Sequence, residues 1–416
     1  MKTQASLLMC GALALALAAA LQAAGGADGA DWPCYRGPSH NGVSTEVNWS
    51  PATLGTQPKV LWTAKVGVGH GCIVVRDGRA YVTGNTADKD IVYCFHAATG
   101  KELWKSAYPC KATGKTDLDH LGPRASPAVD ATRVYTISRE GDVYCLDAKT
   151  GKEVWSRNVV KDLDGAPPTW GVACSPYLMG NALILNTLAY GVVLEKATGK
   201  VVWRSPGDSG GYASPVVFRN GDAQCLAMFG KDAFHVVELK TGKELWSYSW
   251  KTRYDINASD PVVIGSSLFI SSGYERGCAL IEPKNNSFAV AWEKQGKEAV
   301  STQFSSSVLV GNYLYGISGN TGSGKLTCLD PKTGRIKWQQ GGQFESLNAA
   351  GDRLIALTSK GELVVAEASS SAYREFARAE VLSATDASLW TAPVLSHGRI
   401  YCRNSLGDLV CLDVSR

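Results

Sequence analysis

Charge is scarce in this chain and nowhere concentrated. Only 19% of its 416 residues are Asp, Glu, Lys or Arg, 42 basic against 38 acidic, and no stretch gathers five or six of one sign. Without a basic patch or stripe there is no electrostatic footprint for a nucleic-acid or anionic-membrane partner. None of the 12 cysteines stands in a Cys-x-x-Cys pair, so the usual spacing of a zinc site is missing too. What is plentiful points elsewhere. Forty-four glycines, 12 tryptophans and a 45% hydrophobic content describe a globular chain with a large core, short strands and tight turns, and exclude disorder and collagen-like structure.

The first residues stand apart. Ala5 to Ala27 carries no charge, follows a single Lys2, and ends among small residues from Ala23 to Gly26. Residues 1–26 therefore read as an export signal, although the stretch is long enough to anchor the chain if kept. The apolar segment runs well past Cys10, which is expected to leave with the signal. After cleavage the chain is expected in the periplasm or outside the cell, with no stable membrane span and where disulfides persist.

Seven tryptophans then fall into step: Trp62, Trp104, Trp155, Trp203, Trp246, Trp292 and Trp338, spaced by 42, 51, 48, 43, 46 and 46 residues. Such a period means a propeller or a solenoid, and short β-rich runs such as Val143–Asp147 and Leu326–Asp330 favour sheets over helices. One string recurs, Cys145-x-Asp147-x-x-Thr150-Gly151-x-x-x-Trp155 and Cys328-x-Asp330-x-x-Thr333-Gly334-x-x-x-Trp338, with looser copies ending at Trp104, Trp203 and Trp246. Gly accepts the positive φ of the turn, the acidic side chain accepts turn amides, and the indole is expected to dock on the neighbouring sheet, in room left by the small cysteine-position residue. Phe376 stands in for the indole of a degraded seventh unit. The C-terminal unit stops at Cys411-x-Asp413 without its Trp, while Lys59 to Val66 is an outer strand without a sheet. Joining the two closes an eight-bladed, all-β propeller over residues 58–416, about 45 residues per blade. Residues 27–57 remain as an N-terminal segment outside the repeat.

The repeated Thr-Gly-x-x-x-Trp string resembles the PQQ-like β-propeller repeat shared by quinoprotein alcohol dehydrogenases and by BamB, a lipoprotein of outer-membrane barrel assembly. Asp31-Trp32-Pro33-x-Tyr35-Arg36-Gly37-Pro38 and Gly122-Pro123-Arg124-Ala125-Ser126-Pro127 are similar to a secreted bacterial branch of that family. The resemblance implies pyrroloquinoline quinone with calcium as a possible cofactor, but the adjacent cysteine pair of those enzymes is missing here. The lipidated cysteine of BamB has no counterpart in place either.

Two motifs dissolve in their context. Gly207-Asp208-Ser209-Gly210-Gly211 copies a serine-protease nucleophile loop, yet His70, His96 and His120 lie outside any matching histidine motif. Gly319 to Lys325 mimics a phosphate loop, but Leu326 replaces the required hydroxyl and a strand follows instead of a helix, which makes it a hairpin turn. Cys94, Cys145, Cys328 and Cys411 share one repeat position and read as small core residues. Cys34 and Cys110 fall outside the pattern and are the first pair to test for a disulfide.

Each innermost strand starts near a Ser-Pro or similar pair, and just ahead stand His70, Arg124, Trp170, Tyr212, Asn257, Gln303 and Trp390. In a propeller these positions gather around one mouth of the central channel. Aromatic faces, a guanidinium and amides suit a flat or anionic ligand; alternatively they plug the channel and satisfy one another. Asp260 and Glu275 are the nearby carboxylates for a calcium site. The expected role is a non-catalytic binding or scaffold module for an unidentified protein or small molecule. A quinone-dependent dehydrogenase and an outer-membrane assembly factor are the alternatives.

Overall fold

Eight antiparallel sheets are arranged as the blades of a propeller in the computed structural model, which describes residues 30–55, 57–112, 121–207 and 210–416. The expected signal, His120, Asp208 and Ser209 lie outside the described residues. In each blade the chain runs from the innermost strand outward. Blade 1 comprises Val74–Arg76, Arg79–Thr86, Lys89–His96 and Glu102–Pro109, and blades 2 to 7 repeat that order. Blade 8 is built from both ends of the sequence. Val394–Ser396, Arg399–Arg403 and Asp408–Asp413 supply three strands, and Val60–Lys65 supplies the outermost, with Trp62 opposite Cys411. The closed ring leaves no blade unpaired at the ends of the chain.

The indoles dock as a series, each reaching the next blade. Trp62 Nε1 donates to the Ala97 carbonyl at 3.0 Å, Trp104 to Ala148 at 3.1 Å, Trp155 to Lys196 at 2.9 Å and Trp203 to Leu239 at 2.8 Å. Trp292 and Trp338 continue the series to Pro331 and Ser369. Trp246 instead packs on Phe288, ring centroids 4.7 Å apart. The turn glycine makes the room, not the residue at the cysteine position. A Cβ on Gly151, at φ +71°, would lie 2.4 Å from the Trp104 ring. The preceding acid builds the turn as its chemistry dictates, since Asp147 Oδ1 accepts the Thr150 amide and hydroxyl at 2.9 and 2.8 Å.

Phe376 does not supply the missing indole of blade 7. Every outer strand has a register shift just before its docking position, as between Glu153 and Trp155. In blade 7 the shift puts Phe376 on the bulge, 40% exposed like Val154 at 42%, and leaves Ala377 opposite Val365 at the docking position. The missing indole comes from the N-terminal segment. Trp49 is buried in one cluster with Val365, Leu412, Val414 and the half-buried Ala377. The neighbouring Ser50 amide donates to the Val414 carbonyl at 2.9 Å, the counterpart of Ala97 three residues past the cysteine position.

The rest of that segment crosses the channel. Trp32 pairs with Val75 of blade 1, the Val129 amide of blade 2 donates to Pro33, His40 stacks on Tyr177 of blade 3 at 3.8 Å, and Val43–Ser44 adds a parallel fifth strand to blade 7 beside Phe344–Ala350. A tight turn at Gly37, φ +76°, allows the crossing, and a Cβ there would sit 2.7 Å from the Trp32 ring. Cys34 and Cys110 do not pair. Cys34 lies in the segment, its thiol donating to the Gly37 carbonyl, whereas Cys110 belongs to the cluster between blades 1 and 2. All eleven described cysteines are buried free thiols, and burial pushes Cys34 and Cys110 up to about 12, far from the reactive thiolate. Gly319 to Lys325 is a hairpin turn between Tyr313–Ser318 and Lys325–Asp330.

Candidate functional site

Where each blade enters its innermost strand, alternate side chains face the axis because an extended chain has a period of two. Two tiers result around a cavity of about 280 Å³. His70 and Cys72 line it from blade 1, Arg124 and Ser126 from blade 2, Tyr212 and Ser214 from blade 4, Phe304 and Ser306 from blade 6, and Trp390 and Ala392 from blade 8. Within each pair the second residue is roughly 7 Å further along the axis, two extended residues on. Blades 3 and 5 follow the same phase with Ala173 and Ser175, and Ala258 and Asp260.

The inner tier is a relay between blades. The Cys72 amide donates to Ser126 Oγ at 2.8 Å, Ser126 to Ser175 Oγ at 3.0 Å, Ser175 to Ser214 Oγ at 3.0 Å, Ser214 to Asp260 Oδ1 at 2.8 Å, and Asp260 to Ser306 Oγ at 2.8 Å. Five blade junctions are thus sealed by side-chain oxygens that replace missing sheet partners. Tyr35 and Arg36 of the crossing segment close the cavity at this level. Arg36 donates to the Ser307 carbonyl at 2.7 Å, and its Nε lies 3.9 Å from Asp260 Oδ2, both side chains 4% exposed. Burial raises Asp260 to about 6, against the opposing pull of Arg36.

The outer tier divides into two walls. His70 stacks on Trp390 with centroids 4.9 Å apart at 22°, and Phe304 meets Trp390 at 4.4 Å, which makes one continuous aromatic face. Opposite stand Arg124, Trp170 and Tyr212, whose phenol oxygen accepts the Trp170 amide at 3.4 Å. Burial pushes the Tyr212 phenol up to about 12. Gln303 is held at the rim, donating to the Tyr274 hydroxyl at 2.9 Å and accepting the Thr321 amide at 2.7 Å.

Six of the seven residues singled out in the sequence therefore line the cavity, and Asn257 does not. It sits one residue out of phase and fully buried, its amide donating to the Gly230, Lys231 and Trp250 carbonyls while its oxygen accepts Ser272 Oγ. Its neighbours Ile256 and Ala258 face the cavity in its place. Sequence reasoning missed Tyr35, Arg36 and the inner tier. The Ser of the Ser-Pro pairs at 126, 175 and 214 was the available signal for the inner tier.

The carboxylates of a calcium site are not assembled. Asp260 faces Arg36 and accepts the Ser214 amide, Glu275 is exposed outside the cavity wall, and no group of three His, Cys, Asp or Glu able to hold a metal occurs among the described residues. Cys72 lines the cavity without an adjacent cysteine. The donor set does not fit a calcium–quinone centre.

A propeller with this docking series defines a class, and comparison with known proteins assigns it. The sequence model of a family described as outer membrane protein assembly factor BamB matches residues 55–122 and 89–340. The chain belongs to the PQQ-like β-propeller family. It is 23% identical over 237 residues to tetrathionate hydrolase of Acidithiobacillus ferrooxidans, covering 53% of this chain and 45% of that protein. It is 30% identical over 166 residues to quinoprotein ethanol dehydrogenase of Pseudomonas aeruginosa, covering 36% and 27%. The chain thus spans less than half the length of these curated relatives. The crystal structure of BamB from Moraxella catarrhalis superposes with a TM-score of 0.59 at 16% identity, over 85% of this chain and 97% of that one, a likeness of fold.

Proposed function

We propose that this protein is an exported binding module that captures a small ring-shaped anion in its axial well, without quinone chemistry. One observation carries the reading: the cavity is a well floored by the chain's own Tyr35 and Arg36, with an aromatic wall facing Arg124. At about 280 Å³ it is close to the ~300 Å³ lower bound of small-ligand sites. A guanidinium forks onto a carboxylate, and the aromatic wall takes the apolar face of a ring.

Mass spectrometry of small molecules released when protein from its native host is denatured tests this. The wild type should release one anionic ring compound in near-stoichiometric amount, and Arg124→Ala should lose it. A quinone released from both proteins would refute the reading.

The family match favours a second reading, a part in outer membrane protein assembly. Co-purification of a barrel-assembly partner, unaffected by Arg124→Ala, would move the function from the well to the blade surfaces.

A further inference from the structure

We infer that the ligand of the well is a hydroxylated ring carrying one carboxylate, a sugar acid of the hexuronate kind. This rests on the well being a binding site and adds the chemistry that selects its occupant.

The two tiers together give the well two unlike sides. On blades 8 and 1 the lining is apolar or aromatic in both tiers, with Trp390 and His70 above Ala392 and Cys72. Across blades 2 to 5 the inner tier is an unbroken polar arc of Ser126, Ser175, Ser214 and Asp260. A ligand that satisfies both needs one face of C–H groups and one edge of polar groups.

The arc is selective in its hydrogen bonding. Ser175 Oγ and Ser214 Oγ each accept one amide, and among the described residues neither hydroxyl proton is given to a protein acceptor. Each keeps a proton to donate toward the axis. Asp260 between them and Ser306 only accepts; Oδ1 takes the Ser214 amide and Oδ2 stands 3.9 Å from Arg36 Nε, which leaves lone pairs for a further donor. Donors beside an acceptor match hydroxyl groups, because each hydroxyl both gives and takes a hydrogen bond. A planar polycarboxylate has oxygens that mostly accept, and would press its charge against Asp260. Arg124, one step nearer the mouth than the arc, is placed for a single carboxylate at the ring's outer end.

The test is a set of titrations by saturation-transfer NMR or calorimetry on the whole protein, with D-glucuronate, methyl β-D-glucopyranoside, cyclohexanecarboxylate and pyrroloquinoline quinone. Glucuronate has the charge and the hydroxyls, and each of the next two lacks one of them. Glucuronate should bind at least about fivefold tighter than either. In Arg124→Ala its affinity should fall to that of the methyl glucoside, whose own affinity should stay within about twofold. Equal binding of cyclohexanecarboxylate and glucuronate, or tighter binding of the quinone, would overturn the sugar-acid assignment and leave the well as an anion site. No binding of any of the four would overturn both readings.

Discussion

Truncating Trp49 should damage the ring as much as truncating a repeat tryptophan, although Trp49 belongs to no repeat. The indole is 5% exposed and packs with Val365, Leu412 and Val414 where blade 7 has only Ala377 to offer blade 8. A buried indole removes roughly 150–250 Å² from water, and at about 25 cal/mol per Å² this amounts to about 4–6 kcal/mol. Trp49→Ala should therefore cost about 3–5 kcal/mol, the usual range for a large-to-small core change. Phe376→Ala is the control. That ring is 40% exposed on a bulge with Arg353 stacked over it at 4.2 Å, so its loss should cost under about 1 kcal/mol. Equilibrium urea unfolding followed by far-UV circular dichroism reads both, and an unchanged slope against urea keeps the comparison valid. If Phe376→Ala proved the more damaging of the two, Trp49 would not hold the seventh junction and the assignment of the bulge would be wrong.

Arg403→Met should loosen the closing seam. Fully buried on blade 8, Arg403 donates to the Gly71, Thr83 and Gly67 carbonyls of blade 1 at 3.1, 2.7 and 3.2 Å, and each acceptor left unpaired costs about 1–3 kcal/mol. Hydrogen exchange should rise first in strands Arg79–Thr86 and Arg399–Arg403, and exchange rising evenly over all eight blades would refute the local role. Gly151→Ala should destabilise by more than the ~1 kcal/mol of an unfavourable φ alone, since its Cβ meets Trp104; a smaller loss in calorimetry would mean that the indole shifts freely. Asp260→Asn should change the pH profile of stability. Its folded pKa of about 6 exceeds the ordinary 3.8, so between those values the folded state binds more protons and stability falls as pH rises, by up to ~1.4 kcal/mol per unit. Asp90, also raised to about 6, adds the same slope, while His40, lowered to about 4, opposes it in both proteins. The difference between wild type and variant isolates Asp260, and parallel profiles from pH 4 to 6 would show that its carboxyl titrates normally.

The blade count, the closing strand and seven docking indoles were legible because each is a local pattern repeated in phase. The turn at Asp147 to Gly151 makes its own hydrogen bonds, and the Trp four residues beyond the glycine takes its direction from that turn. The indole of the blade 7 junction was not legible for the opposite reason. The bulge in the outer strand moves the docking position by one residue, so an aromatic at 376 reads as a match while the backbone turns it to solvent. Its replacement lies more than 300 positions away in sequence, and no period leads from Ala377 to Trp49.

The well shows the same division between local phase and distant supply. His70, Arg124, Tyr212 and Trp390 are legible because the residue two before each inner-tier position faces the axis, whereas Asn257, three before Asp260, turns away to the carbonyls of Gly230, Lys231 and Trp250, which no phase shows. No phase argument reaches the floor, since Tyr35 and Arg36 come from outside the repeat and stand beneath blades that follow much later in the chain. Their position depends on the ring itself. Arg36 is fixed by Ser307 of blade 6 and Asp260 of blade 5, while Trp32, Val43–Ser44 and Trp49 are fixed by blades 1, 7 and 8. The segment can take this course only once both ends of the propeller have met, and Trp49 in turn secures the junction next to the closing blade. Ring closure and the floor of the well therefore rest on the same segment, and a lesion in it should register both in the stability of blades 7 and 8 and in the shape of the site.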